Sequence, residues 1–242
     1  MAGLAFTLVD EASIEIIPSP TRPGTRCQTC DYWERLDGVR DGDDTAARRE
    51  TKRAALMSGA RLAGSYGLIA TTPDGEALGY AQFGPLSIYP RAQVIRDRYP
   101  DLPESPAPWV VTCLQVPATA EDRSDIGQAL LEAVCTELDR RGVTAIEVYP
   151  EPAPDPWTPP GGPSPIYEAA GFERAAGDDR FPVYRRELTG TGADIGWGDL
   201  LSKARQPDDS DAWPLPLPTG PTEEDVFRLP PRPTRPNPFG DD

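Results

Sequence analysis

Histidine is absent from the 242-residue chain. Without an imidazole, the chain cannot build a Ser-His-Asp or Cys-His catalytic centre, nor a metal site that depends on histidine. No apolar run approaches the roughly 20 residues needed to span a bilayer. Residues 1–17 also lack the basic start and unbroken apolar stretch of a signal peptide. We therefore expect a protein that does not bind membranes and lies in the cytoplasm.

Positive charge is also scarce, because 24 Lys and Arg residues stand against 39 Asp and Glu residues, a net charge of −15. Such a surface repels phosphate backbones, so general nucleic-acid binding is not expected. Hydrophobic residues make up 38% of the chain, which suits one modest core.

The composition changes after Leu188. Residues 189–242 hold 10 of the chain's 30 prolines together with acidic clusters, and such a segment cannot bury a core of its own. We predict a domain over residues 1–188 and a largely disordered proline-rich acidic tail over residues 189–242. Within the tail, residues 195–201 could form a short docking helix, and residues 230–236 are typical of polyproline II, which could recruit a protein partner.

The apolar pattern of residues 1–188 predicts a mixed α/β domain. Residues 109–116 (WVVTCLQV) are almost wholly apolar, as expected of a central strand buried on both faces. In residues 126–141, apolar side chains recur every four residues, which predicts an amphipathic helix. The other predicted strands are 6–17, 65–72, 77–83, 143–149, one from 172 and 181–188, and the other helices are 44–61 and 166–170.

The predicted helix over residues 126–141 begins with Ile126-Gly127-Gln128-Ala129. The first N–H groups of a helix have no internal acceptors and carry the positive end of the helix dipole. Small residues there would let a pyrophosphate approach these amides. A structural role for the glycine is the plainer alternative.

Two motifs together resemble the GNAT superfamily of acyl-CoA-dependent N-acyltransferases. Residues 124–129 (SDIGQA) are similar to its pyrophosphate loop, and residues 167–172 (YEAAGF) are similar to its later helix, with a tyrosine ahead of Gly-Phe. The resemblance implies a mixed, mostly antiparallel sheet of six to seven strands, flanked by helices and splayed at its central strands. Ser124 stands where the family has Gln or Arg, so the loop is remodelled or the adjacent Arg123 serves the phosphate.

The resemblance also implies roles for individual residues. Tyr167 would donate a proton to the leaving sulfur of acetyl-CoA, the co-substrate, and no metal is implied. Amides near Leu114, Gln115 and Val116 would bind the acyl carbonyl. The acceptor would be a primary amine of a small molecule or peptide, and a homodimer is common among relatives. The residues implied to bind the pyrophosphate are Arg123, Ser124, Ile126, Gly127, Gln128 and Ala129.

The general base is less well defined. Glu34 would lie in the early helix that flanks the acceptor site in this family, and Glu147 lies in the next predicted strand. Loss of the amine proton through water is an equal alternative, as is an ordinary surface or ion-paired role for each carboxylate.

Cys27 and Cys30 form a Cys-x-x-Cys pair directly ahead of Tyr32-Trp33-Glu34. A zinc site would need two further ligands, and a redox pair would need to open a helix. We favour half-buried thiols that open a helix whose Tyr32, Trp33 and Glu34 line the acceptor cleft. Some bacterial GNAT-like proteins have a similar segment.

Two other classes of function stay open. A GNAT-fold enzyme could take its acyl group from another donor, such as an aminoacyl-tRNA, although the acidic surface opposes tRNA binding. A non-catalytic module could use its proline-rich tail to recruit a partner. For an N-acyltransferase, the acidic domain would attract cationic amines through its long-range field.

Overall fold

A computed structural model describes residues 3–19, 26–39, 45–60, 64–117, 119–120, 122–151 and 164–190. Within these ranges the chain forms one mixed sheet with helices on both faces. The strands are β1 (Ala5–Leu8), β2 (Gly67–Thr71), β3 (Ala77–Pro85), β4 (Trp109–Gln115), β5 (Ala145–Val148), β6 (Glu173–Gly177) and β7 (Pro182–Glu187). The helices are α1 (Ala46–Met57), α2 (Pro90–Arg96), α3 (Arg123–Arg140) and α4 (Ser164–Ala169).

The seven strands lie in the order β1-β2-β3-β4-β5-β7-β6. Neighbouring strands are antiparallel except β4 and β5, which are parallel. A parallel neighbour needs a long crossover, and α3 provides it. The predicted fold class, a mixed and mostly antiparallel sheet flanked by helices, is confirmed.

The pairing of β4 with β5 is short. It covers Trp109↔Ile146 to Val111↔Val148, whereas β4 pairs with β3 as far as Gln115↔Tyr80. The β3–β4 register shifts between Gln82↔Cys113 and Phe83↔Val111, so Thr112 is the extra residue of a β-bulge. Beyond Val111, β4 therefore has only β3 as a partner among the described strands.

The sheet separates two apolar clusters. On one face, Leu130 and Val134 of α3 and Tyr167 of α4 pack on the strands. On the other face lie Trp33 and Leu56, contributed by the N-terminal segment and α1. None of the helices in the described part of the chain combines the length and apolar character of a bilayer-spanning segment.

Local sequence explains several element ends. Gly75 has φ +88° in the Asp-Gly turn that joins β2 to β3, and Gly142 has φ +77° directly after α3. Both conformations favour glycine. Asp10 accepts hydrogen bonds from the Ala12 and Ser13 amides, which ends the extended chain soon after β1.

The prediction of a strand over residues 6–17 is therefore wrong beyond Leu8. After the turn at Asp10, residues Ile14–Ile16 form a short 3₁₀ helix. The predicted early helix is also wrong, since residues 26–39 form successive turns instead. The helix predicted from residue 126 begins three residues earlier, at Arg123. Helix α2 was not predicted. Residues 152–163 and 191–242 lie outside the described ranges, so the docking helix and the polyproline II segment predicted in the tail lie outside them too.

Candidate active site

The separation of β4 from β5 is the centre of the candidate site. Leu114, Gln115 and Val116 are all buried at this end of β4. Leu114 and Val116 belong to the cluster under α3, whereas the Gln115 side chain accepts a hydrogen bond from Cys27 Sγ at 3.1 Å. The three residues predicted to bind an acyl carbonyl therefore lie where β4 has no β5 partner among the described residues.

Tyr167 lies in α4 and is fully buried. Its ring stacks on Tyr184 at 5.6 Å between centroids and meets the edge of Phe172 at 5.9 Å. Burial raises the pKa of the phenol, and the nearby Cys113 thiol of β4 raises it further. The hydroxyl therefore stays protonated at neutral pH, as a proton donor must.

The N-terminus of α3 differs from the prediction. The Ile126 amide already donates to Asp122 O at 2.9 Å, so Ile126, Gly127, Gln128 and Ala129 lie inside the helix. The amides that precede this first helical bond, including those of Ser124 and Asp125, have no acceptor within the helix. Asp122 makes no side-chain capping bond there.

Arg123 ties the start of α3 to the end of β4. Its Nε and Nη2 atoms donate to the Val116 carbonyl at 3.2 and 2.9 Å. Asp122 and Asp125 are exposed at the same helix end, and their carboxylates would weaken the attraction of a phosphate. This end of α3 thus combines amides that have no acceptor within the helix and one guanidinium with two opposing charges.

Glu34 is held in a buried polar cluster. Its Oε1 accepts from Lys52 Nζ at 2.9 Å and from Gln82 Nε2 at 2.8 Å. Lys52 also donates to Gln82 Oε1, which accepts from the Tyr80 hydroxyl at 3.2 Å as well. Burial by itself would lower the pKa of Lys52, but the Glu34 carboxylate raises it well above its usual value, so the lysine stays charged.

Two buried atoms beside this cluster have no hydrogen-bond partner among the described residues. They are Glu34 Oε2, an acceptor, and Gln115 Nε2, a donor. Buried polar atoms are normally satisfied, so each calls for an explanation, such as water or a ligand. Lys52 and Gln82 were not predicted as site residues. The one available signal was that Lys52 is one of only two lysines in the sequence.

Glu147, the other candidate base, is fully engaged. Its carboxylate accepts from Arg96 Nε at 3.0 Å and from Arg185 Nη1 at 2.6 Å, and the Tyr149 hydroxyl donates to it. Glu147 is fully buried. Two guanidiniums and a phenol therefore already occupy the oxygen atoms that a substrate proton would need. This arrangement indicates a structural role for Glu147.

The cysteine pair forms no disulfide, and Cys27, Cys30 and Cys113 are all buried as free thiols. Burial raises the pKa of Cys27 well above its ordinary value. Because the thiolate is the reactive form, Cys27 is a poor nucleophile and a poor redox partner. No group of three or more Cys, Asp or Glu residues in the described ranges could hold a metal ion.

A cavity of about 420 Å³ opens beside the carboxyl end of β5. Tyr149 and Glu151 line it from the chain just after β5, Tyr32 from the N-terminal segment and Phe181 from the residue just before β7. Trp33 and Glu34 were also predicted to line the acceptor cleft, but Trp33 is buried, the Glu34 side chain is only 5% exposed, and neither lines this cavity. Among the predicted cleft residues, Tyr32 alone lines it.

A scan against models of protein families finds no match for the chain, and a search of curated proteins finds none either. Solved structures do match. The Drosophila melanogaster polyamine N-acetyltransferase is 13% identical, with 77% of this chain and 100% of that chain covered and a TM-score of 0.46. The arylalkylamine N-acetyltransferase 2 from Aedes aegypti is 10% identical, with 77% and 99% covered and a TM-score of 0.47. A GCN5-related N-acetyltransferase from Kribbella flavida is 14% identical, with 76% and 98% covered and a TM-score of 0.44. Identities and scores this low define neither an activity nor a substrate.

Proposed function

We propose that the chain is an acyl-CoA-dependent N-acyltransferase that uses acetyl-CoA and a primary amine. One observation carries the proposal: β4 departs from β5 after Val111, and the buried, protonated Tyr167 lies near Cys113 on the departing part of β4. A gap between two central strands with a proton donor beside it suits the cleavage of a thioester.

In the proposed reaction, the amine attacks the thioester carbonyl and the bond from carbon to sulfur breaks. Backbone amides near Leu114, Gln115 and Val116 stabilise the oxyanion as it forms. Tyr167 donates its proton to the departing thiolate. Arg123 and the first amides of α3, among them that of Ser124, bind the pyrophosphate.

Glu34 is the proposed acceptor of the amine proton. Lys52 contacts the carboxylate at Oε1, which leaves Oε2 as the atom able to accept. Because the Glu34 side chain is only 5% exposed, the proton reaches Oε2 through a water molecule.

The test is release of free thiol from acetyl-CoA in the presence of a panel of primary amines, together with calorimetric binding of CoA. We expect Tyr167→Phe to lower kcat about 100-fold, the low end of the usual contribution of one proton donor, and to leave the KM for acetyl-CoA unchanged. Tyr184→Phe is the matched control, because Tyr184 stacks on Tyr167 and has no assigned role. No CoA binding at millimolar ligand, or equal effects of both variants, would refute the proposal.

A second candidate is a transferase whose acyl donor is not CoA, such as an aminoacyl-tRNA. The exposed Asp122 and Asp125 at the start of α3 motivate it, because they oppose a pyrophosphate there, whereas the net charge of −15 also opposes tRNA. Thiol release from S-acetylpantetheine, which lacks the pyrophosphate, separates the two. A kcat/KM at least tenfold higher with acetyl-CoA supports the first candidate, whereas equal values together with a tRNA gel shift at low salt support the second.

A further inference from the structure

The cavity of about 420 Å³ lies beside the place where β5 stops pairing with β4. Tyr149, which lines it, follows Val148, the last β5 residue that pairs with β4. Two of its lining residues, Tyr99 after α2 and Phe181 before β7, are joined by a hydrogen bond in which the Tyr99 hydroxyl donates to Phe181 O at 3.2 Å. A molecule in the cavity would thus lie beside the end of the β4–β5 pairing, where the proposed function places acyl transfer.

The walls of the cavity are largely aromatic and apolar. The rings of Tyr32, Tyr149 and Phe181 contribute to them, together with Ile95 and Val183. Phe181 is 41% exposed, so one aromatic surface is available for a ligand to cover. Large apolar groups bind such a cavity because their surface leaves water.

Arg91 fixes one of these walls through its Nε and Nη2 atoms. Its guanidinium lies 3.9 Å from the centre of the Tyr32 ring. The same group donates to the carbonyls of Tyr32 and Leu36, both at 2.6 Å, and of Gly38 at 3.1 Å. Tyr32 is therefore held in position before any ligand arrives.

Charge in the cavity has the opposite sign from the chain as a whole. Its charged lining residues are Arg91, Arg98 and Glu151, although the chain carries −15. Glu151 accepts from the Tyr32 hydroxyl at 2.9 Å. Arg98 is exposed, and none of the ion pairs among the described residues includes it.

These charges discriminate between classes of amine. A polyamine would meet two guanidiniums and one carboxylate, so its charges would be repelled at short range even though the distant field attracts it. An amine that also carries a carboxylate meets a complementary pair, with Glu151 for its ammonium group and Arg98 for its carboxylate.

We propose that the acceptor is an amino acid with a large apolar side chain, such as phenylalanine. Arg98 binds the α-carboxylate, Glu151 attracts the amino group, and the side chain packs among Tyr32, Tyr149 and Phe181. This assignment specifies the acceptor of the proposed N-acyltransferase, and it rests on that proposed function for the acylation of the amino group. Acyl transfer then forms the amide bond at the amino nitrogen and releases CoA as the free thiol.

The experiment compares three acceptors with acetyl-CoA: L-phenylalanine, phenethylamine, which lacks only the carboxylate, and spermidine. We expect kcat/KM to be at least tenfold higher for phenylalanine than for either of the others, since a tenfold ratio is the size of one modest charge-assisted hydrogen bond. Arg98→Ala should remove this preference by raising the KM for phenylalanine about tenfold, and should leave phenethylamine within twofold. Arg98→Lys should restore part of the loss.

Arg53→Ala is the matched control, because Arg53 is an exposed arginine of α1 that does not line the cavity. Calorimetric binding of phenylalanine to the full chain gives a readout that does not need turnover. Binding that weakens in Arg98→Ala and not in Arg53→Ala supports the inference even if CoA fails to bind and the proposed function falls. No measurable binding of phenylalanine, equal use of phenethylamine or spermidine, or equal effects of the two arginine variants would overturn it.

Discussion

Glu34 and Lys52 form an almost completely buried ion pair. Lys52 Nζ lies 2.9 Å from Glu34 Oε1, and the two side chains are 1% and 5% exposed. Gln82 is hydrogen-bonded to both partners. Since each charge is stabilised almost entirely by the other and by Gln82, removal of one partner leaves the other charge buried without compensation.

Lys52→Met should therefore lower the free energy of unfolding by about 3–5 kcal/mol, the usual cost of breaking a buried pair from one side. The double variant Glu34→Gln/Lys52→Met should recover much of this loss, because no charge then remains buried. Urea denaturation of the wild type, both single variants and the double variant measures the coupling between the two residues.

The control for this cycle is the exposed pair Arg35–Asp37, whose side chains are 52% and 74% exposed. Asp37→Asn should leave the urea midpoint unchanged, because solvent screens this pair. A double variant as unstable as Lys52→Met alone would contradict the account of the buried pair.

The two candidate bases can be separated by kinetics. Glu34→Gln should lower kcat for thiol release about 100-fold or more, a typical value for loss of a general base, whereas Glu147→Gln should lower stability and keep the shape of the pH–rate profile. The reason is that Glu147 is already occupied by Arg96 and Arg185. Initial rates of thiol release, measured between pH 6 and 9 at a temperature where both variants are folded, distinguish the two candidate bases. A changed profile in Glu147→Gln alone would reverse the assignment.

Two glycines offer a matched test of local strain. Gly75 has φ +88° with open space around an added Cβ, whereas Gly177 has φ +79° and its Cβ would lie 2.0 Å from Phe181 O. Gly75→Ala should cost about 1 kcal/mol in unfolding free energy, from the left-handed backbone alone. Gly177→Ala should cost clearly more and should also weaken phenylalanine binding, because it displaces Phe181. Equal costs in thermal or urea unfolding would argue against the tight β6–β7 turn.

Stability should fall at alkaline pH. Burial raises the pKa of Cys135 from 9.0 to about 11, and burial also raises the pKa values of Cys27, Tyr80 and Tyr167. The unfolded chain loses these protons first, so the folded state is favoured fully below pH 9 and progressively less above it. Each such group contributes a slope of up to about 1.4 kcal/mol per pH unit.

Urea denaturation at intervals from pH 7 to 10.5 measures this slope. Cys135→Ala should make the decline shallower above pH 9, because one of the titrating groups is gone, although its smaller side chain lowers stability equally at every pH. An unfolding free energy that stays constant up to pH 10.5 would contradict the burial of these groups.

The sequence predicted the parts of the fold that depend on local pattern. The apolar run of β4 and the four-residue spacing in α3 each identify an element, because burial on two faces or on one stripe leaves a clear periodicity. Residues 26–39 have no such pattern, and their path depends on Arg91, which is distant in the sequence and donates to three of their carbonyls. Helix α2 escaped prediction because it has only seven residues and begins at a proline.

Some residues of the candidate site could likewise be predicted from local sequence, whereas others could not. Tyr167 was identified because it stands in a compact motif with Gly171 and Phe172. The pairing of Glu34 with Lys52 joins residues on separate segments, which no spacing rule indicates. The extra residue at Thr112 is likewise invisible in the sequence, because a bulge is defined only by the register of the partner strand.

The hold of Arg91 on residues 32–38 has a consequence for how selectivity could change. Because one side chain of α2 anchors the backbone beneath an aromatic wall of the cavity, movement of α2 displaces that wall without altering any residue that touches the acceptor. Evolution could thus retune the amine preferred by this scaffold through the contacts of a short helix, while the strands and the buried tyrosine stay as they are.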